Sequence, residues 1–160
     1  MDNLNEKSKI IHFEGREGLL RLTLNSLEAI GELLIYETSY ASLNDYLDKG
    51  KAEEIRQELL NRAIKVKEIS NQPYHENYTQ VRGYHERVMD IRYIDPNKLK
   101  IETELMIYND VVVYYTVKPP LFGVEIHDKE LALMQKQIFE FVWNSAERPM
   151  LGKNGRTSIF

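Results

Sequence analysis

Two glutamates in this sequence have the spacing of a chemical pair. Glu102 and Glu104 lie in the segment IETELMIY, whose alternating apolar and polar residues predict a β-strand. Alternate strand residues face the same side, so the two carboxylates can act as an acid–base pair or bind ligand hydroxyls. In a chain with a net charge of -4, a polar strand face is the simpler interpretation.

Two histidines form a second candidate group. His75 and His85 are each followed by a glutamate and can in principle ligate a metal ion. No H-x-x-x-H or H-E-x-x-H spacing fixes their geometry on a helix, and they lie in or beside a polar segment that contains Pro73 and Gly83. Surface histidines are the better interpretation, so the sequence predicts no metal site and no cofactor.

Composition restricts the function further. At 160 residues, 42% hydrophobic and 29% charged, the chain has the balance of one globular domain. A net charge of -4 argues against broad nucleic-acid binding, because phosphate contacts need a basic face. The sequence contains no cysteine, which excludes disulfides and a thiol nucleophile. No apolar run approaches the roughly 20 residues of a membrane span, so we expect a cytoplasmic protein.

Hydrophobic periodicity predicts the elements that must position these side chains. Asn109-Asp110 suits the tight turn of a hairpin, and Pro119-Pro120 ends the second strand of that hairpin. The predicted strands are Lys9–Phe13, Glu32–Glu37, Ile64–Ile69, Ile101–Tyr108, Val111–Tyr115 and Phe122–Ile126. The predicted helices follow the Glu14-Gly15 turn, span Ser42–Arg62 with a break at Lys49-Gly50, and begin near Asp128.

Three local details are also predicted. Thr38 or Ser39 is expected to cap the helix that follows the second strand. Arg56 is expected to be solvated on the outer side of that helix. The inner face of the last helix is expected to carry Leu131, Met134, Ile138, Phe141 and Val142.

Strands that alternate with helices, followed by a hairpin, predict an α/β domain with a mixed β-sheet flanked by helices. We expect one domain over residues 9–148, with a flexible N-terminus at 1–8 and a flexible C-terminal tail at 149–160. Ser70–Tyr84 is a polar excursion, and Glu86–Ile94 is a short helix or strand.

Four segments together resemble the effector domain of TrmB-type transcriptional regulators. They are FEGREGLL, NRAIKVKEIS, ETELMIYNDVVVYY and GVEIHDKELALMQKQIFEFVWNSA, and the resemblance extends over residues 9–147. It implies a phospholipase D-like fold that pairs as a homodimer. It also implies a sensor that binds a small polar metabolite such as a sugar.

The resemblance also implies where phospholipase D chemistry would lie. Active members carry H-x-K-x-x-x-x-D. The hairpin register places Glu102 near the histidine, Glu104 near the lysine, and Tyr108 or Asn109 near the aspartate. Two carboxylates there repel a phosphodiester instead of attacking it. The sequence does contain the H-x-K of His127 and Lys129, but methionine stands at the aspartate position and the trio opens a helix. We therefore expect no catalytic residues and a pseudoenzyme.

A ligand in an open α/β sheet binds beyond the carboxyl ends of the parallel strands. The strand that ends at Glu37 brings Ser39 there, and the hairpin glutamates join it if the resemblance holds. The many tyrosines favour a sugar, because their rings stack on apolar sugar faces. The predicted ligand-binding residues are Glu37, Ser39, Arg82, His85, Arg87, Glu102, Glu104 and Tyr108.

TrmB-type regulators carry an N-terminal winged-helix domain, whereas about nine polar residues precede the first predicted strand here. We therefore expect no direct nucleic-acid binding by this chain and regard a separate DNA-binding protein as its partner. Two alternatives stay open. One is an interaction or scaffold protein with a vestigial cleft, and the other is a divergent phosphodiesterase or nuclease.

Overall fold

Ten strands and five helices occur in the part of the chain that the computed structural model describes, residues 8–153 and 156–159. In chain order they are β1 (Lys9–Glu14), α1 (Gly15–Ser26), β2 (Glu32–Glu37), α2 (Leu43–Tyr46), α3 (Lys49–Asn61), β3 (Lys65–Ser70), β4 (Tyr74–His75), α4 (Tyr84–Arg87), β5 (Met89–Tyr93), β6 (Glu104–Tyr108), β7 (Val111–Tyr115), β8 (Phe122–His127), α5 (Lys129–Ser145), β9 (Met150–Lys153) and β10 (Arg156–Ile159). None of the helices in these ranges is long and apolar enough to cross a bilayer.

Seven strands form one mixed sheet in the order β1-β8-β7-β6-β2-β3-β5. The β2, β3 and β5 strands are parallel, and the remaining pairs are antiparallel. The predicted hairpin is β6–β7, and Asn109 takes the left-handed conformation that its turn requires, with a φ of 49°. The predicted α/β class, with a mixed sheet flanked by helices, is confirmed.

The two faces of this sheet pack against different helices. Leu33 and Ile35 of β2 share one core with residues of α1 to α4, which we call the four-helix layer. Leu34 and Tyr36 face the opposite way, into a core with α5. Because β2 is covered on both sides, its sequence is apolar nearly throughout. Glu37 continues the row of Leu33 and Ile35, so its carboxyl group points into the four-helix layer.

The last helix buries a different face from the predicted one. Three residues of the expected inner face are largely exposed: Met134 (50%), Ile138 (44%) and Phe141 (79%). Ala132, Phe139 and Trp143 are buried instead. Phe139 packs edge-on against Tyr36 with ring centroids 5.1 Å apart, so the large aromatic side chains of strand and helix decide which side of α5 is buried.

Two predictions about the helices that follow β2 are also wrong. Arg56 is buried, with 1% exposure, although charge alone suggested a solvated position. Neither Thr38 nor Ser39 caps a helix. The α3 helix begins after Asp48, whose carboxylate accepts a hydrogen bond of 2.9 Å from the backbone N–H of Lys51.

A second, three-stranded sheet has the order β10-β9-β4. Where the sequence predicts a flexible tail at 149–160, β9 pairs with β10 and runs parallel to β4 in the excursion. The backbone N–H of Met150 donates to the carbonyl of Pro73 at 2.8 Å, and this contact joins the C-terminal segment to the excursion. The flexible N-terminus predicted for residues 1–8 lies, apart from Ser8, outside the described residues.

Candidate ligand site

Strand register brings two of the predicted glutamates together. In the antiparallel β2–β6 pair, Tyr36 lies opposite Leu105, so the next pair on the ladder is Glu37 and Glu104. Both carboxyl groups are buried, with 6% and 1% exposure. The backbone N–H of Thr38 donates to Glu104 Oε1 at 3.0 Å, and the Thr38 hydroxyl donates to the same oxygen.

A third carboxylate joins them from the neighbouring strand. Glu68 of β3, with 2% exposure, points into the four-helix layer like Glu37. Glu37 lies on the neighbouring strand, close enough for its charge to disfavour a charge on Glu68. Two buried carboxylates at such a separation repel each other, so the pair favours keeping a proton.

Burial controls the protonation of this acidic group. It raises the pKa of Glu37 to about 7, against partly opposing hydrogen bonds such as the one that the Tyr115 hydroxyl donates at 3.3 Å. Burial, and then the charge of Glu37, raises the pKa of Glu68 well above its ordinary value. Burial also raises the pKa of Glu104, in spite of the bonds from Thr38. Protons therefore act as the counterions of the site near neutral pH.

Arg56 is the cation of this region. Its Nη1 donates to Glu53 Oε1 at 2.8 Å, and its Nη2 donates to Asn44 Oδ1 at 3.0 Å. The guanidinium carbon lies 4.9 Å from the centre of the Tyr78 ring, in cation–π geometry. The buried Nε has no hydrogen-bond partner within the described residues. A buried donor left in this way is costly unless something binds it.

Glu37, Arg56 and Glu68 line a cavity of about 50 Å³. Tyrosines from β7, from the helices and from the loops between them form much of the remaining wall: Tyr40, Tyr46, Tyr78, Tyr84 and Tyr115. Ligand pockets usually measure about 300–1,000 Å³, so this space accepts a small group and not an intact sugar ring.

The excursion covers this cavity and is held down by two sets of contacts. Glu53 Oε2 accepts hydrogen bonds from the Thr79 hydroxyl at 2.8 Å and from the Gln80 N–H at 3.0 Å. The Tyr40 hydroxyl donates to the carbonyl of Gln72 at 2.8 Å. Glu53 also binds Arg56, so the cover and the cavity wall share one carboxylate.

Of the eight predicted ligand-binding residues, Glu37 and Glu104 come together at this site. Ser39 lies in the following turn, where its hydroxyl accepts a hydrogen bond from the Ala41 N–H. Glu102 lies outside the site, because β6 begins only at Glu104. Its side chain is exposed and forms an ion pair with Lys100 at 2.7 Å.

The other predicted residues lie elsewhere. Tyr108 is buried at the opposite end of β6. Arg82 is exposed. His85 and Arg87 line a groove of about 850 Å³ along β5, together with His75. The two histidine rings are 5.8 Å apart, and burial lowers the pKa of both. Within the described ranges, no group of three His, Cys, Asp or Glu side chains has the arrangement of a metal site.

The sequence reasoning missed Glu68, Arg56 and Tyr115 as members of the site. One signal was present for Glu68: Val66, Glu68 and Ser70 alternate along a strand that has a helix on either side of it in the sequence. A glutamate in such a row faces a covered side of the sheet. Arg56 directly follows Ile55 on α3, and no local pattern marks it as buried.

No protein-family model and no curated protein matches this sequence. Solved structures do match the fold. Nuc from Salmonella typhimurium, a phospholipase D family member, has a TM-score of 0.60 at 11% identity over 96% of this chain and all of its own. NucT from Helicobacter pylori has a TM-score of 0.59 at 19% identity over 88% of this chain and 98% of its own.

The third match is TrmBL2, an archaeal chromatin protein whose structure shows a novel mode of DNA binding. Its TM-score is 0.59 at 16% identity, over 87% of this chain. This chain spans about half of TrmBL2, 53% of its length. At such identities the likeness shows the fold alone. The chain has a phospholipase D-like fold, as predicted, and one of its structural neighbours is TrmB-like.

Proposed function

We propose that this chain is a non-catalytic sensor domain that binds a small polar ligand in the cavity beside Glu37, like the effector domain of a TrmB-type regulator. The observation that carries the proposal is the set of buried carboxyl groups of Glu37, Glu68 and Glu104 at the carboxyl ends of β2 and β3 and the facing end of β6. This edge is where open α/β sheets bind ligands.

The chemistry of the wall argues against phosphodiester cleavage. Among the described residues that line the cavity, none is a histidine or a lysine. Phospholipase D-type cleavage needs a nucleophile for phosphorus and a cation for the phosphoryl oxygens. Here Arg56 is engaged by Glu53 and Asn44. Apart from the tyrosine phenols, the other acidic or basic groups of the described wall are the carboxyl groups of Glu37 and Glu68. An anionic ester is therefore repelled.

A thermal-shift screen against polyols, amines, sugar phosphates and divalent metals tests this proposal. We expect at least one uncharged or cationic ligand class to raise the melting temperature, because binding to the native state stabilises it. Glu37→Gln should abolish that shift, and Glu102→Gln, in an exposed ion pair, is the matched control. Phosphodiester hydrolysis that is lost in Glu104→Gln would contradict the proposal and favour the divergent enzyme.

An interaction protein is the second candidate, and the exposed apolar side of α5 favours it. Met134, Ile138 and Phe141 lie three and four residues apart and form one stripe. Such a stripe suits the proposed homodimer, or contact with a separate DNA-binding partner. Phe141→Asp should convert a dimer to monomer in light scattering. Leu24→Asp on α1, also an exposed apolar position at 43%, should not. A response to α5 substitution without any ligand response would favour the scaffold function.

A further inference from the structure

The size of the cavity restricts what its ligand can be. A volume of about 50 Å³ leaves room for about four water-sized groups, at roughly 10–15 Å³ for each. The group that reaches Glu37 and Glu68 in this cavity is therefore compact.

The charge of the cavity restricts the ligand further. Glu37 and Glu68 both lie in the wall, and Glu104 stands beside Glu37 on the next strand. Arg56 is already offset by Glu53, with which it forms an ion pair of 2.8 Å. The carboxyl group of Glu37 is thus left with protons and neutral hydroxyls as its partners. A cation can replace a proton there without any new cost of burying net charge.

The aromatic part of the wall suits the same kind of ligand. Ring faces attract cations, most strongly where water is excluded. The wall already holds one such contact, since the Arg56 guanidinium lies over Tyr78. Tyr40 and Tyr84 line the same space. Carboxylates combined with aromatic rings are the chemistry that recognises an ammonium group.

One buried donor adds a second requirement. Arg56 is 1% exposed and lines the cavity, and its Nε–H lacks an acceptor within the described ranges. An ammonium group offers donors only, so it cannot satisfy this atom. A hydroxyl oxygen on the same small ligand can accept the bond.

We propose that the site takes a compact primary ammonium group with a nearby hydroxyl, as in a small amino alcohol. The ammonium group donates to the Glu37 carboxylate and to an uncharged carboxyl oxygen of Glu68, which keeps its proton, and the hydroxyl oxygen accepts from Arg56 Nε. This inference rests on the proposed sensor function and names the ligand class of the same site.

Cation binding should release the proton that Glu37 holds. The titratable groups that face Glu37 from the surrounding elements are Glu68, Glu104, Tyr115, Tyr46, Tyr84 and Tyr78. Arg56 and Tyr40 face Glu68. Burial raises the pKa of every one of these phenols, so they stay protonated between pH 6 and 8. Glu37, with a pKa of about 7, changes charge in this window. One displaced proton predicts binding about tenfold tighter at pH 8 than at pH 6.

Isothermal titration of the full chain with ethanolamine tests this inference, with ethylene glycol as the uncharged counterpart and sodium chloride at matched ionic strength. We expect ethanolamine alone to bind, about tenfold tighter at pH 8 than at pH 6. Titration in two buffers of different ionisation enthalpy should report one released proton. Glu37→Gln should abolish binding and Glu102→Gln should not. If Glu37→Gln fails to fold, Arg56→Lys tests the hydroxyl contact and should weaken ethanolamine more than ethylamine.

The outcomes separate this inference from the proposed function. Binding of ethylene glycol or a sugar in preference to ethanolamine, still dependent on Glu37, overturns the ammonium assignment and leaves the sensor function standing. Ethanolamine binding that is equal at pH 6 and pH 8 also overturns it, because no proton is then exchanged. Silence with ethanolamine and with every ligand of the thermal-shift panel overturns both.

Discussion

Two buried carboxylate regions on the same sheet face differ in how well they are satisfied. At one end of β8, Glu125 is 1% exposed, but Asn25 donates to one of its oxygens at 2.8 Å and His127 Nε2 lies 2.9 Å from the other. At the other end of the sheet, Glu37 and Glu68 lie on neighbouring strands, and burial raises the pKa of both carboxyl groups. Burial is common to both regions, so burial alone does not mark a ligand site. A ligand site is indicated instead where buried carboxyl groups lack enough hydrogen-bond donors or cations to neutralise them.

The largest effect on the free energy of unfolding should come from substituting Arg56, which lies in the Glu37 region and not in the Glu125 region. Arg56→Met leaves Glu53 without its cation, and loss of one partner of a buried pair costs about 3–5 kcal/mol. Chemical denaturation of both proteins measures the difference in unfolding free energy. Arg21→Met, at an exposed position of α1, is the control and should change it by less than about 0.5 kcal/mol. Equal effects would mean that the Arg56–Glu53 ion pair does not stabilise the wall of the cavity.

The next largest effect is a pH dependence of the free energy of unfolding, which should come from the Glu37 region and not from the Glu125 region. Burial raises the pKa of Glu37 from 4.5 to about 7, so the folded state binds its proton more tightly than the unfolded state. Its contribution, about 3 kcal/mol by this shift, is full below about pH 4.5 and is lost as the pH rises through 7. Unfolding free energies of the wild type should therefore fall between pH 5 and 8 by more than those of Glu37→Gln.

Glu102→Gln is the control for that comparison, because the Glu102 side chain is 72% exposed. It should follow the wild-type pH profile. A Glu37→Gln profile that coincides with the wild type would show that Glu37 does not hold a proton in the folded state near neutral pH.

The smallest expected change in stability comes from the same substitution, glutamate to glutamine, made once in each region. Glu125→Gln places amide hydrogens against the groups that now donate to Glu125, and should cost about 1–2 kcal/mol. Glu37→Gln at pH 8 should cost nothing or stabilise, because the amide removes a charge that the site buries poorly. Thermal unfolding at pH 8 measures both variants side by side. The reverse order would place the unsatisfied carboxylate at β8 and remove the argument for a ligand beside Glu37.

The strands that carry Glu37 and Glu104 were predictable from the sequence. The apolar row of β2 ends at Glu37, and this pattern predicts Glu37 at the carboxyl edge of the sheet. The alternation of β6 includes Glu104, but it was the resemblance to phospholipase D-like domains that implied its place at the same edge. The position of Glu102 was not predictable in the same way. Its alternation continues that of Glu104, but the ladder with β7 starts only at Glu104, and this start depends on where the partner strand ends.

Local patterns alone determined six of the seven strands of the large sheet, the hairpin turn at Asn109 and the α/β class, because a period of two or of 3.6 residues reflects a covered and an open side. Only the tertiary structure decided which helix residues are covered. Phe139 is buried and Phe141 is exposed on the same helix, because Tyr36 of β2 packs against one and not the other. It also decided that Glu68 meets Glu37 and that Arg56 lies in their cavity. Those contacts join residues far apart in the chain. A local sequence pattern shows which side of an element is covered, but it does not identify the residues that pack against that side in the folded protein.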